Sequence, residues 1–162
     1  MRIYFDTEFT HLEGNAQREL ISAGFVSEDG REWYAEISDF NRALCSPFVV
    51  STVLPLLEGN AETALTVEMF GQRLSAWLDS FGEDVELIAD HSADWELLTK
   101  YISAHLAAQP GRIQSSVWQP PNDESHSIKM LEAELRFWFA NPRKRHHALF
   151  DARRLKIVVQ QK

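Results

Sequence analysis

Apolar and polar positions along this chain change period several times, and each change marks an element. Met1 to Thr10 reads as an apolar strand that ends on two acids, Asp6 and Glu8, with Thr7 between them. Alternation puts Asp6 and Glu8 on one face of that strand and Thr7 on the other. His11 to Arg18 is polar with a Gly14-Asn15 turn signal, and Glu19 to Val26 reads as a second strand. Asp29-Gly30, between Phe25-Val26 and the alternating Trp33 to Ile37, signals a hairpin, so three antiparallel strands open the fold. Phe40 to Leu57 reads as helical, with Pro47 at a first helical position and Val49, Val50, Val53 and Leu54 at helical spacing; Gly59-Asn60 ends it.

From Thr66 to Phe81 the apolar residues fall on one helical stripe, with Thr66 as the cap. Glu86 to Ala89 is a short buried strand, and from Ala93 a second helix turns Trp95, Leu98, Tyr101, Ile102 and Leu106 inward. A strand following a crossover helix implies parallel pairing. Gln109-Pro110-Gly111 breaks that helix, and residues 112 to 125, with Pro120-Pro121, form a loop or an edge strand. Ile128 to Phe139 and Ala148 to Val159 are the last two helices, separated by Asn141-Pro142. The fold class is α/β: a mixed sheet, three antiparallel strands and then parallel ones, flanked by helices.

Composition narrows this picture. At 162 residues and 44% hydrophobic, the chain has the size and apolar content of a single domain, 1–162. Cys45 has no second cysteine for a disulfide or a shared zinc site, which fits a reducing cytosol, and its plainest role is that of a small buried residue. With no signal peptide and no long apolar run, a soluble cytoplasmic protein with no membrane partner is expected. A net charge of −8 argues against coating nucleic acid by bulk electrostatics. The charge is uneven, however: residues 57–96 hold ten acids and one base, whereas 141–162 hold seven bases and one acid, Asp151. That asymmetry allows a basic rim beside an acidic pocket, or simply a solvated basic helix face.

Candidate chemistry comes from distant stretches. Asp6 and Glu8 repel one another unless a proton or a cation sits between them, although a solvated strand end accounts for them equally well. Asp94 stands where a buried strand gives way to a helix, the place where ligands bind in open α/β sheets. Helix capping is its plain alternative, with Asp90 and Glu96 competing for that role. Asp151 can be a salt-bridge partner of Arg154 or Arg145, or, with a histidine five residues earlier, part of a site.

Taken together, Asp6-Thr-Glu8, Asp94 ahead of Trp-Glu-Leu-Leu, and His146-x-Ala-x-x-Asp151-Ala resemble the three motifs of the DEDDh 3′-5′ exonucleases. The opening Tyr-Phe-Asp-Thr-Glu-Phe, with Glu19-Leu-Ile-Ser22 and Glu28-Asp-Gly-Arg-Glu-x-Tyr34, resembles more narrowly the small bacterial exoribonucleases of the ribonuclease AS group. The likeness is poorest between about 112 and 141, and the middle motif offers Asp90-His91 where the family has an Asn. The resemblance implies an RNase H-like fold and two-metal phosphodiester hydrolysis with Mg²⁺, for which Mn²⁺ substitutes. By it, Asp6, Glu8, Asp94 and Asp151 hold the ions, Asp6 bridging them and Glu8 also orienting the water. It further implies single-stranded RNA 3′ ends as substrate, A-rich tails among them, and a homodimer. An exodeoxyribonuclease and a non-catalytic RNase H-like binding module stay open as alternatives, and a phosphatase with Asp6 as nucleophile lacks the second Asp it would want at Glu8.

The base is ambiguous from residues alone. On a regular helix His147 shares a face with Asp151 and His146 does not, whereas the family pattern selects His146. Pro142 and the Arg-Lys-Arg run place His146 in the loop leading into the helix, so His146 is the expected base and His147 a surface or helix-start residue. Phe9 and Trp95 are candidates for the terminal nucleotides, and Arg143, Lys144 and Arg145 for the phosphates. Trp95 fits its helix's inward stripe as well. Trp118 is a stacking platform or a dimer contact, while Trp33, Trp77 and Trp138 suit the core.

Overall fold

A computed structural model describes residues 1–12 and 17–161. The Gly14-Asn15 turn lies outside the described residues. Strands β1 (Arg2–Phe9), β2 (Leu20–Ser27), β3 (Glu32–Ile37), β4 (Ala64–Leu65), β5 (Val85–Ala89) and β6 (Ile113–Val117) form one sheet in the order β4-β3-β2-β1-β5-β6. As expected, β1, β2 and β3 pair antiparallel, and β5 runs parallel to β1. The β2–β3 hairpin closes through Ser27 and Arg31, with Gly30 at φ 93°, a backbone conformation that costs glycine nothing. Four helices, α1 (Val67–Asp79), α2 (Ser92–Ala108), α3 (Glu124–Ala140) and α4 (Ala148–Val159), complete this RNase H-like arrangement.

Alternation along β1 divides the molecule into two layers. Ile3 and Phe5 point toward α1 and α2, where Phe25, Phe70, Leu74, Leu87 and Leu98 build the main core. Phe5 and Phe25 stack at 5.6 Å, and Trp33 and Trp77 close the edge of that cluster. The opposite face carries Tyr4, Asp6 and Glu8 and is covered by α4, whose Leu155 packs on Tyr4. Gly24 makes that contact possible: a Cβ there would lie 2.3 Å from the backbone of Leu149, so only hydrogen lets α4 descend onto β2.

Two segments sharpen the expected pattern. Residues 40–57 are helical in part: a 3₁₀ turn, Arg42–Leu44, and then an unbroken helical run that starts at Pro47, as expected, but is π-helical over Val49–Val53 and 3₁₀ over Leu54–Leu56. Pro55 has no N–H to continue a helical ladder, and the chain tightens around it. Of the two options for residues 112–125, the edge strand is realised: β6 pairs parallel with β5. Asp123 then caps α3, accepting from the His126 amide at 2.8 Å, so α3 starts four residues before Ile128. Thr66 caps α1 as expected. Among the described residues no helix is long and apolar enough to cross a membrane.

Candidate active site

The predicted acids converge at the C-terminal end of β1. Asp6, Glu8 and Asp151 form one group and Asp6, Asp90 and Asp94 a second, with one carboxylate oxygen of each member within 4.8 Å of the others in its group. Asp6 belongs to both. Each side chain is placed by a different local cause. Asp6 and Glu8 share a strand face. At Glu8 the β1–β2 register slips by a residue, so Phe9 pairs with Leu20, and such irregularities re-aim side chains beside a site.

Asp94 lies in the first turn of α2 but does not cap it. His91 is the cap, its Nδ1 accepting from the Ala93 amide at 3.1 Å. Freed from capping, Asp94 reaches β1, where its Oδ1 accepts from the Thr7 amide at 3.1 Å and the Thr7 hydroxyl at 2.6 Å. Thr7, pointing away from the acids on either side of it, thus anchors the carboxylate that joins them. Asp151 stands in the first turn of α4, and its Oδ2 is buried with no hydrogen-bond partner among the described residues. Neither expected salt-bridge partner takes it, since Arg154 pairs with Asp90 and Arg145 with Glu134.

This crowding has an electrostatic signature. Burial, then Asp94 and Glu8, hold the Asp6 carboxyl well above its ordinary range. Burial, then Asp151 and Asp94, raise Glu8 to about 8. Asp94 and Asp151 rise to about 6, again chiefly through burial, with Thr7 opposing at Asp94 and Arg154 at Asp151. Grouped hard oxygens that resist ionising together, one of them buried without a donor among the described residues, fit a metal cation.

A cavity of about 580 Å³ opens beside Glu8, walled by Phe9, Leu12, Phe48, Val49 and Val53, with His146 at its rim. The Arg18 guanidinium covers the Phe9 ring at 4.7 Å from its centroid. His146 is exposed, meets Phe48 edge-on at 5.0 Å and has φ 65°. His147 is a helix-start residue, the N-cap of α4, but not a surface one: it is 2% exposed and stacks on Tyr34 at 4.6 Å. Burial, then Arg145, lowers the His146 pKa; burial, then Lys144, lowers that of His147.

The remaining candidates fall elsewhere. Trp95 is half-buried against the main core and does not line the cavity. Arg145 lies over the Trp138 ring at 5.2 Å, and Lys144 over Phe150 at 5.0 Å. Much of the basic tail is engaged in the fold, with Arg153 on Glu32 and Lys156 on the Ser27 carbonyl. The sequence offered Phe48 and Val53 only as helix residues and Asp90 only as a competing cap. The Pro47-Phe48 step and the missing motif Asn were the signals available for them.

Fold and site together define an RNase H-like α/β protein with an acidic centre compatible with metal binding. No protein-family model matches the chain. Two curated proteins of Mycobacterium tuberculosis, one from each of two strains and both named 3′-5′ exoribonuclease, are 46% identical to it over 57 residues. That stretch is 35% of this chain and 33% of each relative, so the match spans about a third of the curated proteins' length.

Proposed function

We propose that the chain is a metal-dependent 3′-5′ exoribonuclease of the DEDDh kind, removing nucleotides from the 3′ end of single-stranded RNA. The observation that carries this reading is the meeting of Asp6, Glu8, Asp94 and Asp151, from three distant stretches, beside an apolar cavity rimmed by His146. The relatives' shared name supports the same reaction.

Asp6, Glu8 and Asp151 would hold one Mg²⁺, and Asp6 with Asp94 a second. Bound there, the ions would supply positive charge to the scissile phosphate and its leaving oxygen. Glu8, facing both the acidic group and the cavity, orients the attacking water. His146, its pKa lowered by burial and Arg145, is neutral at physiological pH and takes a proton from that water. Phe9 and Phe48 offer flat apolar walls to the terminal base, which single-strand recognition needs. A preference for A-rich ends belongs to the proposal, as the resemblance implies.

The test is a 5′-labelled single-stranded RNA incubated with Mg²⁺ or Mn²⁺, with DNA of equal sequence and homopolymer RNAs in parallel. Stepwise shortening from the 3′ end, lost in excess EDTA and in Asp6→Ala, is expected. Undiminished activity in EDTA would overturn the metal mechanism, and equal cleavage of DNA would overturn the assignment to RNA.

A further inference from the structure

Asp90 differs from the other acids at this centre in being directly ion-paired, with Arg154, whose charge also acts on Asp151 from a greater distance. It follows β5 directly, groups with Asp6 and Asp94, and accepts on Oδ2 from Arg154 Nη2 at 2.5 Å. Arg154 lies three residues beyond Asp151 on α4, so the pair ties the end of β5 to the helix that carries Asp151. Its side chain is only 17% exposed, and a guanidinium does not lose its proton in proteins.

Charge gives the pair a meaning. Four carboxylates match two divalent ions, and a fifth would leave the centre net negative where water screens poorly. Arg154 cancels that fifth charge. Mg²⁺ is bound by few carboxylates and keeps several waters, so a further carboxylate drawn into the group would hold the ion more tightly than this chemistry asks. We propose that Arg154 is a built-in counter-ion that withholds Asp90 from the ion at Asp6 and Asp94, and so sets how tightly that ion is held. Arg154 is a positioning residue here, acting through Asp90, and the inference rests on the metal-dependent reading above.

The test is Mn²⁺ titration of the ion-free protein, followed by the free-ion EPR signal, in wild type, Arg154→Met, Asp90→Asn and the double variant, with circular dichroism confirming folding. Arg154→Met should tighten the site at Asp6 and Asp94, the weaker of the two because fewer carboxylates hold it, at least about 5-fold by releasing a charge beside it. Asp90→Asn, which leaves Arg154 uncompensated, should weaken it by a similar factor, and the double variant should return near wild type. Weakening by both single variants would overturn the proposal, making Asp90 an ordinary ligand oriented by Arg154. So would unchanged affinity in both, which would make the pair a structural tie. A wild-type protein that takes up no Mn²⁺ at all would instead defeat the metal-dependent reading.

Discussion

Replacing Glu8 with glutamine should stabilise the ion-free protein at pH 8 and leave it almost unchanged at pH 5. Burial, with Asp151 and Asp94 alongside, lifts the Glu8 pKa from 4.5 to about 8. Between those values the folded protein keeps a proton that the unfolded chain releases, so stability falls as pH rises through that window. The advantage of the protonated acid is fully present below the unfolded pKa and is gone above the folded one. For Glu8 alone the cost at pH 8 is on the order of 4 kcal/mol, at about 1.4 kcal/mol per unit. Asp6, Asp94 and Asp151 share the same protons, so a neutral amide relieves only part of it, roughly 2 kcal/mol. For a chain of this length that is about 4–8 °C in Tm. Thermal denaturation followed by circular dichroism in excess EDTA reads the shift. Saturating Mn²⁺ should reverse the order, because wild type gains binding energy that the variant has lost, about 2.7 kcal/mol at a hundredfold excess over Kd. Equal Tm values at pH 8 in EDTA, or a stabilisation just as large at pH 5, would refute the electrostatic account of the centre.

Other outcomes separate chemistry from scaffolding. His146→Ala should lower kcat by roughly 10²–10⁴-fold with KM and Tm little changed, whereas His147→Ala should act first on stability, by about 1–3 kcal/mol, since that ring is packed on Tyr34. Steady-state kinetics beside a melting curve distinguishes them, and a larger kinetic loss from His147→Ala would identify the wrong base. Gly24→Ala sets a Cβ 2.3 Å from the Leu149 backbone, so α4 must lift; a loss of about 3 kcal/mol or more with loss of activity is expected, and an unchanged melting curve would contradict the packing. Thr7→Val removes the 2.6 Å bond to Asp94 and should weaken divalent-ion binding several-fold at a stability cost of about 1 kcal/mol, measured by Mn²⁺ titration and denaturant unfolding.

What the sequence showed depended on how local the determining physics was. The stripe of α1 and its Thr66 cap, the Asp29-Gly30 hairpin and the bounds of α4 were all written locally, in apolar spacing, a capping hydroxyl and turn chemistry. Residues 40–57 carried helical spacing too, and the chain is helical from Pro47, but as a π turn followed by a 3₁₀ turn around Pro55, which lacks the N–H of a regular ladder. The cavity was harder to read, because its walls come from the end of β1, the turns near Phe48 and the loop before α4, and only tertiary approach makes them neighbours. Asp90 and Arg154 are 64 residues apart, and nothing in the local pattern of either announces the other. The acids themselves were legible for the opposite reason: each stands at a strand or helix end where its address is set locally.

The two adjacent histidines show what separates address from role. On a helix extended backwards from α4, His147 would share the face of Asp151 and His146 would point elsewhere. The helix instead begins at Ala148, and His146 takes φ 65°, a conformation that reverses the chain just before it. Consecutive side chains are thereby sent apart, His146 to the rim of the Glu8 cavity and His147 into the pocket against Tyr34. His147 still contributes through its carbonyl, which accepts the Phe150 and Asp151 amides at 2.8 and 3.0 Å and so fixes the turn that presents the Asp151 carboxylate. One residue therefore meets the cavity and its neighbour holds the helix. That division follows from where the helix starts, which Pro142 and the basic run imply and helical periodicity by itself does not.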